Sequence, residues 1–199
     1  MTDYDKNLKK IFGYVSKFLG RDFGRKPNDN ETKEIKELLL GKDEAEENKG
    51  KFIVISQRDS KWKNEMLGKS FYSVGDFGCL ITCLAMLSAW YGDYKDPKWI
   101  ARNLKFTPNG LFLWKSMDGK LPFNFKWRYY GRDDSKIQEI LNSKDNACVL
   151  QVNDKKHWVE LIGYDKGKGY KVVDPFYGDT VWLRERFKNI TGFAEVTKA

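Results

Sequence analysis

Residues 75–92 read Gly75-Asp76-Phe77-Gly78-Cys79-Leu80-Ile81-Thr82-Cys83-Leu84-Ala85-Met86-Leu87-Ser88-Ala89-Trp90-Tyr91-Gly92. From Cys79 onward, Leu80, Cys83, Leu84, Leu87 and Trp90 recur with a period near 3.6, which predicts a helix over 79–91, and Gly92 stands where a helix stops. A cysteine therefore opens the helix. A thiol attacks only as thiolate, and the unsatisfied N–H groups and dipole of a helix N-terminus favour the anion. The preceding Gly75–Gly78 segment reads as a flexible approach, in which Gly78 lets the backbone come close to a substrate.

Downstream the pattern changes to short β-rich runs at 147–152, 158–164, 170–174, 180–183 and 193–196, punctuated by Asn153-Asp154, Lys166-Gly167 and Tyr177-Gly178. These predict an antiparallel sheet. Helices first and strands later give an α+β chain, with a site expected between the two parts. Upstream, residues 4–19 place Tyr4, Leu8, Ile11, Phe12, Val15, Phe18 and Leu19 at helical spacing, residues 20–30 carry loop chemistry, a short helix is expected at 31–40, and the polar run 41–50 reads as a linker. Two parts follow: an N-terminal helical extension and linker, 1–50, and a main domain, 51–199.

A nucleophilic thiol needs a base, and the chain has a single histidine, His157. It opens the run at 158–164. If the next strand returns through a tight turn at Lys166-Gly167, pairing 165 with 168, paired numbers sum to 333 and His157 faces position 176. Asp174 then lies two residues away on the same face, a diagonal neighbour able to orient the imidazole. Gln57, just past the short apolar stretch Ile53-Val54-Ile55 read as a strand, is the candidate side-chain donor for an oxyanion, together with the backbone N–H of Cys79.

Four segments in this order, Ser56-Gln57-Arg58-Asp59-Ser60-Lys61-Trp62, Asp76 to Met86, His157-Trp158-Val159-Glu160-Leu161-Ile162-Gly163-Tyr164-Asp165 and Val173-Asp174-Pro175, together resemble the papain-like cysteine peptidases related to the bacteriocin-processing, double-glycine-cleaving enzymes. The similarity spans about residues 52–196. It implies a papain-like fold with the nucleophile at a helix N-terminus, a thiol mechanism through an acyl-enzyme, and Gln57, Cys79, His157 and Asp174 in the family's four catalytic positions. Soluble relatives include phage and bacterial proteins acting on peptidoglycan peptides. The resemblance thus implies a thiol hydrolase of peptide or isopeptide bonds, with no metal and no organic cofactor.

Two rivals keep the same residues: an acyl transferase of the same superfamily, and a catalytically silent binding or adaptor module. Cys83 and Cys148 fit apolar core positions, and three cysteines do not describe a disulfide framework. A zinc site from Cys79, Cys83, Cys148 and His157 lacks the close-spaced ligand pair of a structural site. The net charge of +8 belongs to the main domain: residues 1–50 carry 11 Lys/Arg against 11 Asp/Glu, residues 51–199 carry 25 against 17. That surplus suits contact with an anionic surface or simple solubility. The aromatic run Trp127-Arg128-Tyr129-Tyr130 fits sheet packing better than base stacking, so nucleic acid is not expected. No segment approaches the roughly 18 apolar residues of a membrane span, and the N-terminus lacks a signal-peptide pattern. A protein that is cytoplasmic at synthesis follows, extracellular only after lysis if it acts on a wall.

Overall fold

The computed structural model describes residues 52–199. The helix, loop and linker expected over residues 1–50, and with them the proposed boundary at 50/51, lie outside the described residues. Two helices open the described region, α1 (Val74–Phe77) and α2 (Cys79–Trp90), followed by α3 (Pro97–Asn103). A 3-10 turn at Trp114–Met117 leads into β1 (Phe123–Tyr130), α4 (Asp134–Leu141), β2 (Asn146–Val152), β3 (His157–Asp165), β4 (Gly169–Asp174), β5 (Asp179–Trp182), α5 (Leu183–Arg186) and β6 (Ile190–Lys198). The fold is α+β. All six strands form one antiparallel sheet in the order β1-β6-β2-β3-β4-β5.

The sheet is covered on both faces. Ala147, Val149, Trp158, Val173, Ala194 and Val196 pack with α2, while the alternate residues Cys148, Leu150, Val152, Val159, Leu161 and Val172 pack with Ile137 and Ile140 of α4. Coverage of this kind buries β2 almost completely and explains its continuous apolar run, where a half-exposed strand would alternate. Helix α2 is buried all round from Leu80 to Ala89, as expected of a helix with no polar face. Its two hydroxyls are satisfied locally: Thr82 Oγ1 donates to the Gly78 carbonyl at 2.9 Å and Ser88 Oγ to the Ala85 carbonyl at 2.7 Å. Tyr91 caps it and Gly92, at φ 90°, turns the chain away.

Three local expectations are corrected. Residues 52–56 pair with no strand, and Ile53 and Ile55 simply pack on the α2-side core. Gly75 to Gly78 is not a flexible approach: Ser73 accepts from the Asp76 N–H and caps the one-turn helix α1, and the Gly78 N–H donates to the Val74 carbonyl at its end, directly before α2. Gly78 is required there because a Cβ would sit 2.4 Å from the Val74 carbonyl oxygen, so its close approach is to the chain itself. The β3–β4 turn is also longer than expected, pairing Asp165 with Gly169 at φ 84°. A one-residue bulge at Ile162 then restores the anticipated register, and Glu160 faces Val173. Two deviations cancel, and Asp174 still ends β4 beside the start of β3.

Strand β1 and helices α3, α4 and α5 were not among the anticipated elements. Two of them have a local signal: Asp96 and Asp133 are N-caps of α3 and α4 whose side chains accept from Trp99 and Lys136 N–H groups, and Pro97 occupies the first turn of α3.

Candidate active site

The start of α2, the start of β3 and the end of β4 converge. Cys79 is the first residue of a 12-residue helix and its thiol is partly exposed. Its backbone N–H is among those that an α-helix leaves without an intrahelical partner. Val152 and His157 close the β2–β3 hairpin, so the imidazole stands at a sheet end where it can reach past the edge. Its side chain is 13% exposed and is hydrogen-bonded to Asp174, and Cys79 is close enough to act on its titration. Nε2 donates to Asp174 Oδ1 at 2.8 Å, which leaves Nδ1 for the thiol. Burial pulls the His157 pKa down, but the hydrogen bonds and charges of Asp174 and Cys79 prevail and raise it to about 9.

Asp174 is 1% exposed and has partners at both oxygens. Oδ1 also accepts from the Phe176 N–H at 2.9 Å, and Oδ2 accepts from Arg186 Nη1 at 2.9 Å. Burial would raise its pKa; the His157 hydrogen bond and charge, then Arg186 and the Phe176 N–H, outweigh it and hold the carboxyl below its ordinary range. Arg186 is itself held by Asp179, through Nη1 to Oδ1 at 2.7 Å and Nη2 to Oδ2 at 2.8 Å. Arg186 and Asp179 were missed from sequence. Asp179 is the cross-strand partner of Asp174 at the start of β5, and Arg186 ends α5, whose return toward the β4–β5 turn brings the guanidinium to both carboxylates.

Gln57 is also brought in, although its side chain does something not foreseen. Its own N–H donates to the Pro175 carbonyl at 2.7 Å, and its Nε2 donates to the Gly75 carbonyl at 2.8 Å. It thereby ties the β4–β5 turn to the helix that leads into Cys79. The residue is 1% exposed and its Oε1 has no hydrogen-bond partner. One hydrogen of the amide is spent on Gly75, and one stays available on Nε2. The loop is seated closely: Gly178, at φ 70°, would place a Cβ 2.8 Å from that of Ser56, and Ser56 Oγ donates to the Phe176 carbonyl at 3.2 Å.

The remaining cysteines are core residues. Cys83 lies one turn beyond Cys79 but is fully buried, its Sγ donating to the Trp158 carbonyl at 3.7 Å, and Cys148 is buried in β2. Burial drives both thiols up, which disfavours their reaction as thiolates.

Cys79 opens on a cleft of about 570 Å³. One wall is aromatic, with Phe106 and Phe112 5.5 Å apart, Phe112 and Trp114 5.7 Å apart, and Trp114 against Trp158 at 5.5 Å. The other carries Arg128, Gln151, Lys155 and Lys156. Among the described residues no helix is long and apolar enough to cross a membrane. No protein-family model and no curated protein matches the chain.

Proposed function

We propose that this protein is a thiol hydrolase of peptide or isopeptide bonds, working through Cys79, His157 and Asp174 on a papain-like framework. The observation that carries the reading is the placement of one imidazole between a partly exposed thiol at a helix N-terminus and a buried, ionised carboxylate. A thiol at a helix start, a base beside it and a carboxylate that orients the base are the signature of activated thiol chemistry. The resemblance to the bacteriocin-processing peptidases agrees with this set.

In the reactive state the thiol proton resides on His157, so a Cys79 thiolate faces an imidazolium that Asp174 stabilises. The thiolate attacks the carbonyl carbon, forming a C–S bond and a tetrahedral oxyanion. Collapse of that intermediate breaks the C–N bond, and His157 passes its proton to the departing amine. Water, deprotonated by the now neutral His157, attacks the thioester; the acid is released and the proton returns to the thiolate–imidazole pair. The backbone N–H of Cys79 and the remaining Nε2 hydrogen of Gln57 are the donors assigned to the oxyanion. Arg186 and Asp179 are positioning residues that keep Asp174 ionised and aimed. Peptidoglycan peptides are the substrate class we favour, given the basic main domain.

The test is incubation with capped peptide pools and muropeptides, followed by mass spectrometry of products and of the protein. New carboxyl termini, together with a thioester adduct on Cys79 in rapid-quench samples and loss of both in Cys79→Ala, are expected. Transfer of the acyl group to added amine with no release to water would replace the hydrolase by the acyl transferase. Absence of products and adduct alike would favour a silent binding module.

A further inference from the structure

The cleft beside Cys79 has a polarity that the triad does not require. Arg128, Lys155 and Lys156 line it and no carboxylate does. Among the described residues none of the three forms an ion pair. Unpaired cations on one wall of a concave, partly apolar site create a field that a bound anion would satisfy.

This wall is built rather than incidental. Gln151, 4% exposed, accepts from Arg128 Nη2 through Oε1 at 3.0 Å and donates through Nε2 to the Lys155 carbonyl at 2.9 Å. One buried amide thus fixes both the arginine and the turn that carries the two lysines. The guanidinium lies 5.1 Å from the Trp158 ring centroid and 4.7 Å from that of Tyr130, and its buried Nε has no partner. Gly192 leaves the room, since a Cβ there would come 3.1 Å from Gln151 Oε1 and 2.9 Å from the Tyr129 carbonyl.

The turn itself is held in an unfavourable shape. Asn153, Asp154 and Lys155 are consecutive non-glycine residues at φ 52°, 53° and 70°. Asn and Asp tolerate that region, whereas lysine does so rarely. Lys155 is pinned there, its N–H donating to Thr191 Oγ1 at 3.2 Å while Thr191 Oγ1 donates to the Gln151 carbonyl at 3.3 Å. Strain of this kind, next to His157 and in a cleft wall, is where function is expected to be stored.

We propose that the cleft selects a substrate bearing a carboxylate close to the scissile bond, bound by Arg128 with Lys155 and Lys156. The inference rests on the hydrolase reading for the word substrate, but the binding preference for a carboxylate next to the reacting carbon stands on the wall alone. Arg128 supplies the fixed planar donor set, and the lysines supply mobile point charges.

Paired alkylation of Cys79 tests it directly. Iodoacetate and iodoacetamide both form an S–CH2 bond to sulfur and break the C–I bond with loss of iodide, and differ in a carboxylate against a neutral amide beside the reacting carbon. The iodoacetate-to-iodoacetamide rate ratio at Cys79, divided by the same ratio for free N-acetylcysteine, is expected to be about tenfold or more. In Lys155→Gln/Lys156→Gln and in Arg128→Gln the normalised ratio should fall severalfold, and raising salt from about 0.05 to 0.5 M should lower it in the native protein. Capped peptide pools differing only by Glu or Gln at one position, offered to Cys79→Ala, should show the same preference in binding. A normalised ratio near one, or one unmoved in the exposed double-lysine variant, overturns the proposal. If iodoacetamide alone reacts no faster with Cys79 than with the free thiol, the hydrolase reading fails, while the ratio still reports on the wall.

Discussion

Asp174 and Glu160 occupy neighbouring strands of the same sheet, at 1% and 2% exposure, yet titrate in opposite directions. Asp174 accepts from an imidazole, a guanidinium and a backbone N–H, and its pKa is lowered despite burial. Glu160 faces the α2-side core, its Oε2 has no hydrogen-bond partner, and burial alone lifts its pKa well above the ordinary carboxyl value. Depth does not decide whether a buried carboxyl is an anion; supplied donors do. The chain concentrates them at Asp174, where an anion is needed to hold an imidazolium.

The largest effect expected from breaking that contrast is on chemistry. Asp174→Asn keeps the shape but removes the charge, and should lower kcat/KM on any cleaved peptide by about 10³- to 10⁴-fold. The same variant should flatten a pH window. His157, raised from 6.5 to about 9, contributes stability that is fully present below pH 6.5 and lost as pH rises through about 9, on the order of 3 kcal/mol. Urea titrations between pH 6 and 10 should show this loss in the native protein and a flatter profile in Asp174→Asn. At the acid end the sign reverses: the lowered Asp174 pKa gives stability present above about 3.8 and lost as pH falls through the folded value.

Glu160→Gln sharpens the other side. Because the folded pKa of Glu160 lies above 4.5, the unfolded chain ionises first and native stability falls as pH rises beyond that value. The variant has no such slope, so the stability difference should move in its favour by on the order of 1.4 kcal/mol per pH unit across the interval between the two pKa values. An unchanged difference from pH 4 to 8 would show that Glu160 is ionised in the fold.

Arg186→Gln removes one donor from Asp174 and leaves His157 and the Phe176 N–H in place. A loss of about five- to tenfold in kcat/KM is expected, with the acid limb of the pH profile displaced upward and partial rescue in Arg186→Lys. At the small end stands the exposed Arg102–Glu65 pair, bidentate at 2.9 Å through both contacts. Arg102→Gln should leave Tm unchanged, because solvent screens the pair that it removes.

Much of the frame and the central three residues were legible in the sequence, for identifiable reasons. Helix α2 announced itself through apolar periodicity and Gly92, and β2, β3, β4 and β6 through runs bounded by turn residues. The His157–Asp174 pairing was anticipated from a hairpin register whose premise was wrong by one residue, and the Ile162 bulge compensated for it. A bulge leaves no reliable mark in one sequence, since it is decided by the packing on either face. The Gln151 hub was not legible because Arg128 reaches it from β1, 23 residues away, and Arg186, though near in sequence, meets Asp174 and Asp179 only because α5 turns back after β5. Gln57 was identified, but its bond to Gly75 required knowing that α1 is helical and presents that carbonyl.

The most direct test of the account is the rate of iodoacetamide labelling at limiting dose near neutral pH, with the modified cysteine mapped in the native protein and in His157→Ala. Labelling confined to Cys79, about tenfold or more faster than a free thiol and slowed to the free-thiol rate in the variant, is the predicted result. Equal reaction at Cys79, Cys83 and Cys148, or a Cys79 rate indifferent to the loss of His157, would contradict it.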